Sequence, residues 1–266
     1  EKRVAVERGE LQGQGGSSDI WLFETGPRGA MDRFTSDPAQ DIDPLWSPDG
    51  SRIVFSSDRD GPLNLYQRAV SATGGDEPLL KSDNGKSPND WSVDGRFILY
   101  SEQDPKTGLD LWVLALSGEQ KREPFLRTDF SELQGQFSPD GKWIAYASIE
   151  SGRWEVYVRS FPDRGGKWPV STNGGVQPKW RRDGKELFYI SADKKLMAVA
   201  VKADGATFEP DVPKTLFELR VPGNLAGPRN WYAVSKDGRF LVNTNLEEAT
   251  APPTTVVLNW TADLKR

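Results

Sequence analysis

The sequence predicts an all-β fold built from repeats, and three observations carry that expectation. An Asp-Gly pair with a large apolar residue three positions upstream of the Asp recurs as Trp46-Ser47-Pro48-Asp49-Gly50, Trp91-Ser92-Val93-Asp94-Gly95 and Phe137-Ser138-Pro139-Asp140-Gly141. Weaker copies stand at Trp180-Arg181-Arg182-Asp183-Gly184 and Val234-Ser235-Lys236-Asp237-Gly238, so Asp residues at 49, 94, 140, 183 and 237 are spaced by 45, 46, 43 and 54 residues. Each pair is followed by a short β-rich run, and then by a second one. A period of about 40–50 residues with four strands per repeat is that of a β-propeller blade.

The elements follow in order. Arg3-Val4-Ala5-Val6 and Asp19-Ile20-Trp21-Leu22-Phe23 are the second half of a first copy, whose inner strand and turn would lie upstream of Glu1. The runs after the Asp-Gly pairs are Ile53-Val54-Phe55, Phe97 to Tyr100, Trp143 to Tyr146, Leu187 to Ile190 and Phe240 to Val242. Rich in β-branched and aromatic residues, they read as strands. A polar turn separates each from a run of polar, aliphatic and bulky residues: Asn64-Leu65-Tyr66, Asp110-Leu111-Trp112, Glu155-Val156-Tyr157 and Lys195-Leu196-Met197. Fourth strands with Gly- or Pro-rich entries follow, as at Gly74 to Leu80 and Gly165 to Val170. The last copy runs out at Thr254 to Trp260. The expectation is one domain over residues 1–266, a six-bladed β-propeller with incomplete first and last blades, cut from a longer chain whose upstream part completes the ring. Gly13 to Ser18 reads as a loop tip. Lys202 to Gly227, with Pro210, Pro213, Pro222 and Pro228 just beyond, reads as extra loop length, within which Arg220 to Asn230 is a candidate blade-specific insertion for binding.

Composition removes whole classes of chemistry. The 266 residues hold no His and no Cys, which excludes Ser/His and Cys/His catalytic pairs, zinc held by Cys or His, and disulfides. With 34 basic against 39 acidic side chains, a net charge of −5 and no Lys/Arg block, a nucleic-acid partner is not expected, because binding the phosphate backbone needs a basic face. Ten Trp, twelve Phe and six Tyr supply a large aromatic core. No apolar run approaches the roughly 20 residues of a membrane helix, so this segment is not expected to insert in a membrane.

The motif Trp-Ser-Pro-Asp-Gly, a strand, and the Ser57 to Gly61 turn Ser-Asp-Arg-Asp-Gly together resemble the repeat of TolB-like β-propellers, the PD40 repeats of the wider WD40-like group. Gly135 to Gly141, Trp180 to Tyr189 and Val257 to Ala262 further resemble the carboxy-terminal propeller of bacterial serine/threonine protein kinases. The resemblance implies a recognition module placed outside the cytoplasm, periplasmic or at the cell surface, behind a kinase and a membrane helix. No kinase motif is present in this segment, since a His-Arg-Asp catalytic loop requires histidine.

Candidate sites are weighed on the same frame. The repeated Asp49, Asp94, Asp140, Asp183 and Asp237 read as turn residues that bond their own backbone rather than as a metal ring. Trp46, Trp91, Phe137 and Trp180 read as a layer wedged between blades. Trp154, Trp168 and Trp231 fall outside that repeated place beside basic residues, and with Arg229 are candidate surface anchors. Residues just before each blade aromatic, Asp41, Asp43, Asn89, Asp90, Gln134, Gln136, Gln177 and Lys179, are candidates for a channel mouth, where they either solvate a water-filled channel or bind a protein, a peptide or a small polar ligand. Asp58-Arg59-Asp60-Gly61 with Asn64 reads as a plain turn, lacking the full ligand spacing of a calcium loop. No cofactor is expected, with a channel-bound cation left open. Two other functions compete with non-catalytic recognition: a carboxylate-based carbohydrate hydrolase or lyase using a pair such as Asp41 and Asp43, and an accessory propeller of a peptidase.

Overall fold

A computed structural model describes residues 3–9, 17–26, 29–71, 74–118, 120–204, 207–221, 225–245 and 254–256. Among them every regular element is a β-strand, and the strands form six antiparallel sheets. No helix is long and apolar enough to cross a membrane among the described residues. The chain groups into two compact units, Glu1–Asp129 and Phe130–Arg266.

In the first unit, β1 (Arg3–Gly9), β2 (Ser18–Glu24) and β3 (Met31–Arg33) make a three-stranded sheet. Two four-stranded sheets follow: β4 (Asp41–Trp46), β5 (Arg52–Ser57), β6 (Asn64–Ala69) and β7 (Glu77–Leu80), then β8 (Lys86–Trp91), β9 (Phe97–Asp104), β10 (Gly108–Ala115) and β11 (Arg122–Leu126). Side chains alternate across a strand, and β5 uses both faces. Ile53 and Phe55 pack with Ile20, Leu22 and Tyr66, whereas Val54 between them packs with Ile98, Tyr100 and Leu114. Trp46 covers the first of these clusters and Trp91 the second, as a layer between blades requires.

The second unit repeats the pattern with β12 (Glu132–Phe137), β13 (Trp143–Ser148), β14 (Glu155–Ser160) and β15 (Lys167–Pro169). Its next sheet departs from four strands. There β16 (Gly175–Trp180) and β17 (Glu186–Ser191) lead into a ten-residue β18 (Lys195–Asp204), which pairs at its far end with β19 (Thr207–Pro210) and at its near end with β20 (Lys214–Glu218). The stretch from Lys202, expected as loop, therefore holds an added hairpin and the blade's outer strand. Phe208 of β19 is buried and packs on Trp143, Trp168 and Trp180. Finally β21 (Tyr232–Val234), β22 (Phe240–Asn245) and β23 (Thr254–Val256) form a three-stranded sheet. Gly13–Gly16 and Val257–Ala262 lie outside the described residues.

The Asp-Gly pairs are turns. Asp49 accepts hydrogen bonds from the Ser47 hydroxyl (2.6 Å) and the Ser51 amide (3.0 Å), and the Ser47 hydroxyl in turn receives the Arg52 amide (2.9 Å). Ser92 with Asp94 and Ser138 with Asp140 repeat this arrangement. The following glycine adopts φ 72°, 76°, 70°, 71° and 81° in the five copies, a left-handed conformation that glycine reaches without steric cost.

Candidate recognition site

Where the first strand of a blade approaches its aromatic, three residues adopt left-handed backbone conformations although none is glycine: Asp43 (φ 54°), Gln134 (φ 57°) and Gln177 (φ 55°). All three stand three residues before the blade aromatic, and at each the ladder to the next strand slips, between Ile42 and Leu45, Leu133 and Gln136, and Val176 and Lys179. These are β-bulges, which re-aim a side chain at the end of a strand. In β8 the equivalent position is Pro88, whose ring forbids positive φ, and the slip falls between Pro88 and Asp90.

In the first unit the candidates are held by their neighbours. Asp41 is fully buried, and its Oδ1 accepts Arg59 Nη2 at 2.9 Å. Burial pushes the Asp41 carboxyl up, against the opposing effects of Ser57 and Arg59. Arg59 also donates to Asp76 (2.7 Å) and lies 4.6 Å from the Tyr66 ring centroid, so the Ser57 to Gly61 turn delivers an arginine inward. Its other oxygens are engaged: Asp60 takes Lys81 and the Tyr66 hydroxyl, and Asn64 takes the Ser82 amide and Lys86. Asp43 accepts the Ser87 hydroxyl at 2.7 Å, and buried Asn89 accepts Ser101 (2.8 Å) while donating to the Ser87 carbonyl (3.2 Å). Asp90 is half-buried.

The second unit brings several candidates together around one loop. The Gln177 amide donates to Gln134 Oε1 at 2.7 Å, which joins the two bulges. Gln134 Nε2 then donates to the carbonyls of Leu225 (2.9 Å) and Gly227 (2.6 Å), and Gln177 Nε2 to those of Leu225 (2.9 Å) and Arg229 (3.2 Å). Gln177 Oε1 receives the Trp231 amide at 2.8 Å, and its carbonyl receives the Tyr232 hydroxyl at 2.8 Å. Two buried glutamines thus seat residues 225–231, which overlap the expected Arg220 to Asn230 insertion, on the strands β12 and β16. Arg229 is exposed and Trp231 half-buried on that loop. Gln136 is buried, its Nε2 bonded to the Gly135 carbonyl (2.9 Å) and its own carbonyl to Trp180 Nε1 (3.2 Å). Lys179 is half-buried.

Trp168 is half-buried: it lies edge-on to Trp143 with centroids 5.3 Å apart and tilts against Phe208 at 5.9 Å, so one side of its ring packs on the blade core. Trp154 is half-buried and its carbonyl receives the Gly175 amide at 2.9 Å. The loop-seating role of Gln134 and Gln177 was not foreseen from the sequence. Its signal was the polar residue three places before the aromatic, interrupted by proline in one blade.

Comparison with known proteins places this geometry. Residues 9–132 match the PD40 family, the TolB beta propeller domain. The chain is 38% identical over 85 residues to an uncharacterized peptidase, YuxL, of Bacillus subtilis, covering 31% of this chain and 12% of that protein. It is 39% identical over 59 residues to the Tol-Pal system protein TolB of Bordetella pertussis, covering 22% of this chain and 13% of the relative. The crystal structure of TolB from Acinetobacter baumannii superposes with a TM-score of 0.71 at 16% identity, over 92% of this chain and 59% of that one. The chain therefore spans only a small part of the curated relatives that it matches.

Proposed function

Because this chain is a TolB-like β-propeller, with residues 9–132 matching the PD40 family, we propose that it works by recognising a protein or peptide and performs no chemistry itself. The observation that carries this reading is the 225–231 loop, held by five hydrogen bonds with two buried glutamines, four donated by their side chains and one accepted from the Trp231 amide. Binding loops gain affinity when they are ordered in advance, because less entropy is lost on association. The loop offers an exposed Arg229 beside Trp231, the residue types enriched among interface anchors.

A carbohydrate hydrolase built on Asp41 and Asp43 is disfavoured by the full burial of Asp41 and its pairing with Arg59. The likeness to a peptidase over 85 residues supports a second reading, an accessory propeller beside a peptidase domain. The kinase resemblance supports a sensor or docking module placed outside the cytoplasm. The reading frame around this segment distinguishes the two: a kinase domain with a membrane span upstream supports docking, and a serine hydrolase domain downstream supports the accessory role.

Recognition itself is tested by a photo-crosslinking amino acid at position 229 in the native host. A discrete crosslinked partner that is lost when Trp231→Ala is introduced supports the proposal. Crosslinks from position 93, on the Asp94 turn, with none from position 229 would overturn it.

A further inference from the structure

A cleft lined by none of the residues of the glutamine-seated loop lies between the Asp183 turn and the Asp237-Gly238 turn of neighbouring blades in the second unit. It measures about 740 Å³ and its walls include Arg182, Lys236, Leu216, Phe188 and Phe240. Phe188 and Phe240 meet edge to face with centroids 4.9 Å apart, and both are almost fully buried, so they form an aromatic floor. Pockets of about 300–1,000 Å³ suit a small ligand or a short peptide end.

The charges around the floor are not balanced in their availability. Arg181 bonds both Asp183 (2.7 Å) and Glu186 (2.6 Å), and Arg239 bonds Asp237 (2.8 Å). The carboxylates on the walls are therefore neutralised within the protein. Arg182 and Lys236 are exposed, and among the described residues neither has a hydrogen bond or ion pair. Two uncommitted cations stand over an apolar floor.

We propose that this cleft binds a carboxylate attached close to an aromatic or large apolar group, as at the carboxy-terminus of a polypeptide or in a free aromatic acid. Arg182 takes the carboxylate, which its planar guanidinium matches with two parallel hydrogen bonds, and Lys236 adds a point charge from the opposite turn. The apolar body rests against Phe188, Phe240 and Leu216, where ring contacts prefer edge-to-face or offset geometry. This site is independent of the 225–231 loop, so failure of either reading leaves the other standing.

The test is titration of the full chain, followed by amide chemical-shift changes at the two turns, with four probes. They are N-acetyl-L-phenylalanine, its carboxamide, acetate, and a pentapeptide ending in a free phenylalanine carboxylate. The expected result is saturable binding of the two aromatic carboxylates, weakened at least about tenfold, or 1.4 kcal/mol, by amidation and by Arg182→Ala. Arg182→Lys should restore part of the loss, and Trp231→Ala should change nothing. Tighter binding of the pentapeptide than of the acetylated amino acid assigns the site to polypeptide ends, and equal binding assigns it to small acids. Absence of saturation, equal binding of the carboxamide, or acetate binding as tightly as the aromatic acid would each overturn the proposal.

Discussion

Gln177 shows how much a single side chain does here. A left-handed conformation at a residue other than glycine costs on the order of 1–2 kcal/mol, and Gln177 meets that cost while its amide group satisfies two loop carbonyls and one loop amide. Gln177→Ala keeps the strained backbone and orphans those groups, so a loss of about 2–3 kcal/mol is expected, since each unsatisfied buried polar group costs about 1–3 kcal/mol. Urea unfolding measures it, and limited proteolysis should report cleavage within 225–231 before global unfolding. The same scale separates anchors from core. Trp91→Ala, which strips the cover from the Val54, Ile98 and Tyr100 cluster, should cost about 3 kcal/mol as a core truncation, whereas Trp231→Ala should leave the urea midpoint nearly unchanged and weaken partner crosslinking. An unchanged midpoint for Trp91→Ala would mean that the aromatic layer does not hold the blades.

At the scale of the element, a buried polar residue at or near the start of β2, β6 and β14 ties down chain that follows it. Asn64 accepts the Ser82 amide, and Glu155 accepts the Ser171 hydroxyl and the Gly174 amide. Asp19 does the same through Thr35 and Arg33. The Glu155 bonds hold the entry to β16, where a Cβ on Gly175 would lie 2.6 Å from Ser171 Oγ and 2.8 Å from its Cβ. Gly175→Ala should therefore lower stability by about 1–3 kcal/mol through overpacking, with the thermal midpoint as readout. Ser171→Gly in the same chain removes those atoms and should recover part of the steric loss, although it also deletes the Glu155 bond. An unaltered midpoint in Gly175→Ala would show that this blade entry yields freely.

For the molecule as a whole, the repeated turns set the response to acid. The Ser47 hydroxyl beside Asp49, Arg181 beside Asp183 and Ser235 beside Asp237 hold those carboxyls down at about 2, against an ordinary 3.8. A carboxyl with a depressed folded value is protonated first in the unfolded chain, so its stabilisation is present above about pH 4 and is lost as pH falls toward 2. Asp41 and Asp110 act with the opposite sign, because burial raises both and protonation relieves the folded state. The turn carboxylates and the lowered Asp94, Asp104 and Asp193 outnumber these two. The urea midpoint should thus fall between pH 5 and pH 3, and Asp49→Asn should flatten that dependence. A midpoint that rises on acidification would assign control to the buried pair.

The sequence by itself determined the repeat, its turns and its aromatic layer. Those features are local: an Asp that bonds an amide two residues on, a Gly that accepts positive φ, and a large ring at a fixed place need only their own neighbours in the chain. Only the tertiary structure decided what the polar residues at the strand ends hold. Gln134 finds its partners 91 and 93 residues away in sequence, at Leu225 and Gly227, and nothing in either segment alone marks the pairing. The same is true of Trp168, which stands beside a basic residue in sequence and whose half-buried ring the fold lays against Trp143 and Phe208. Periodicity reports what a strand does to its own blade, whereas contacts across blades depend on which loop the fold brings over them.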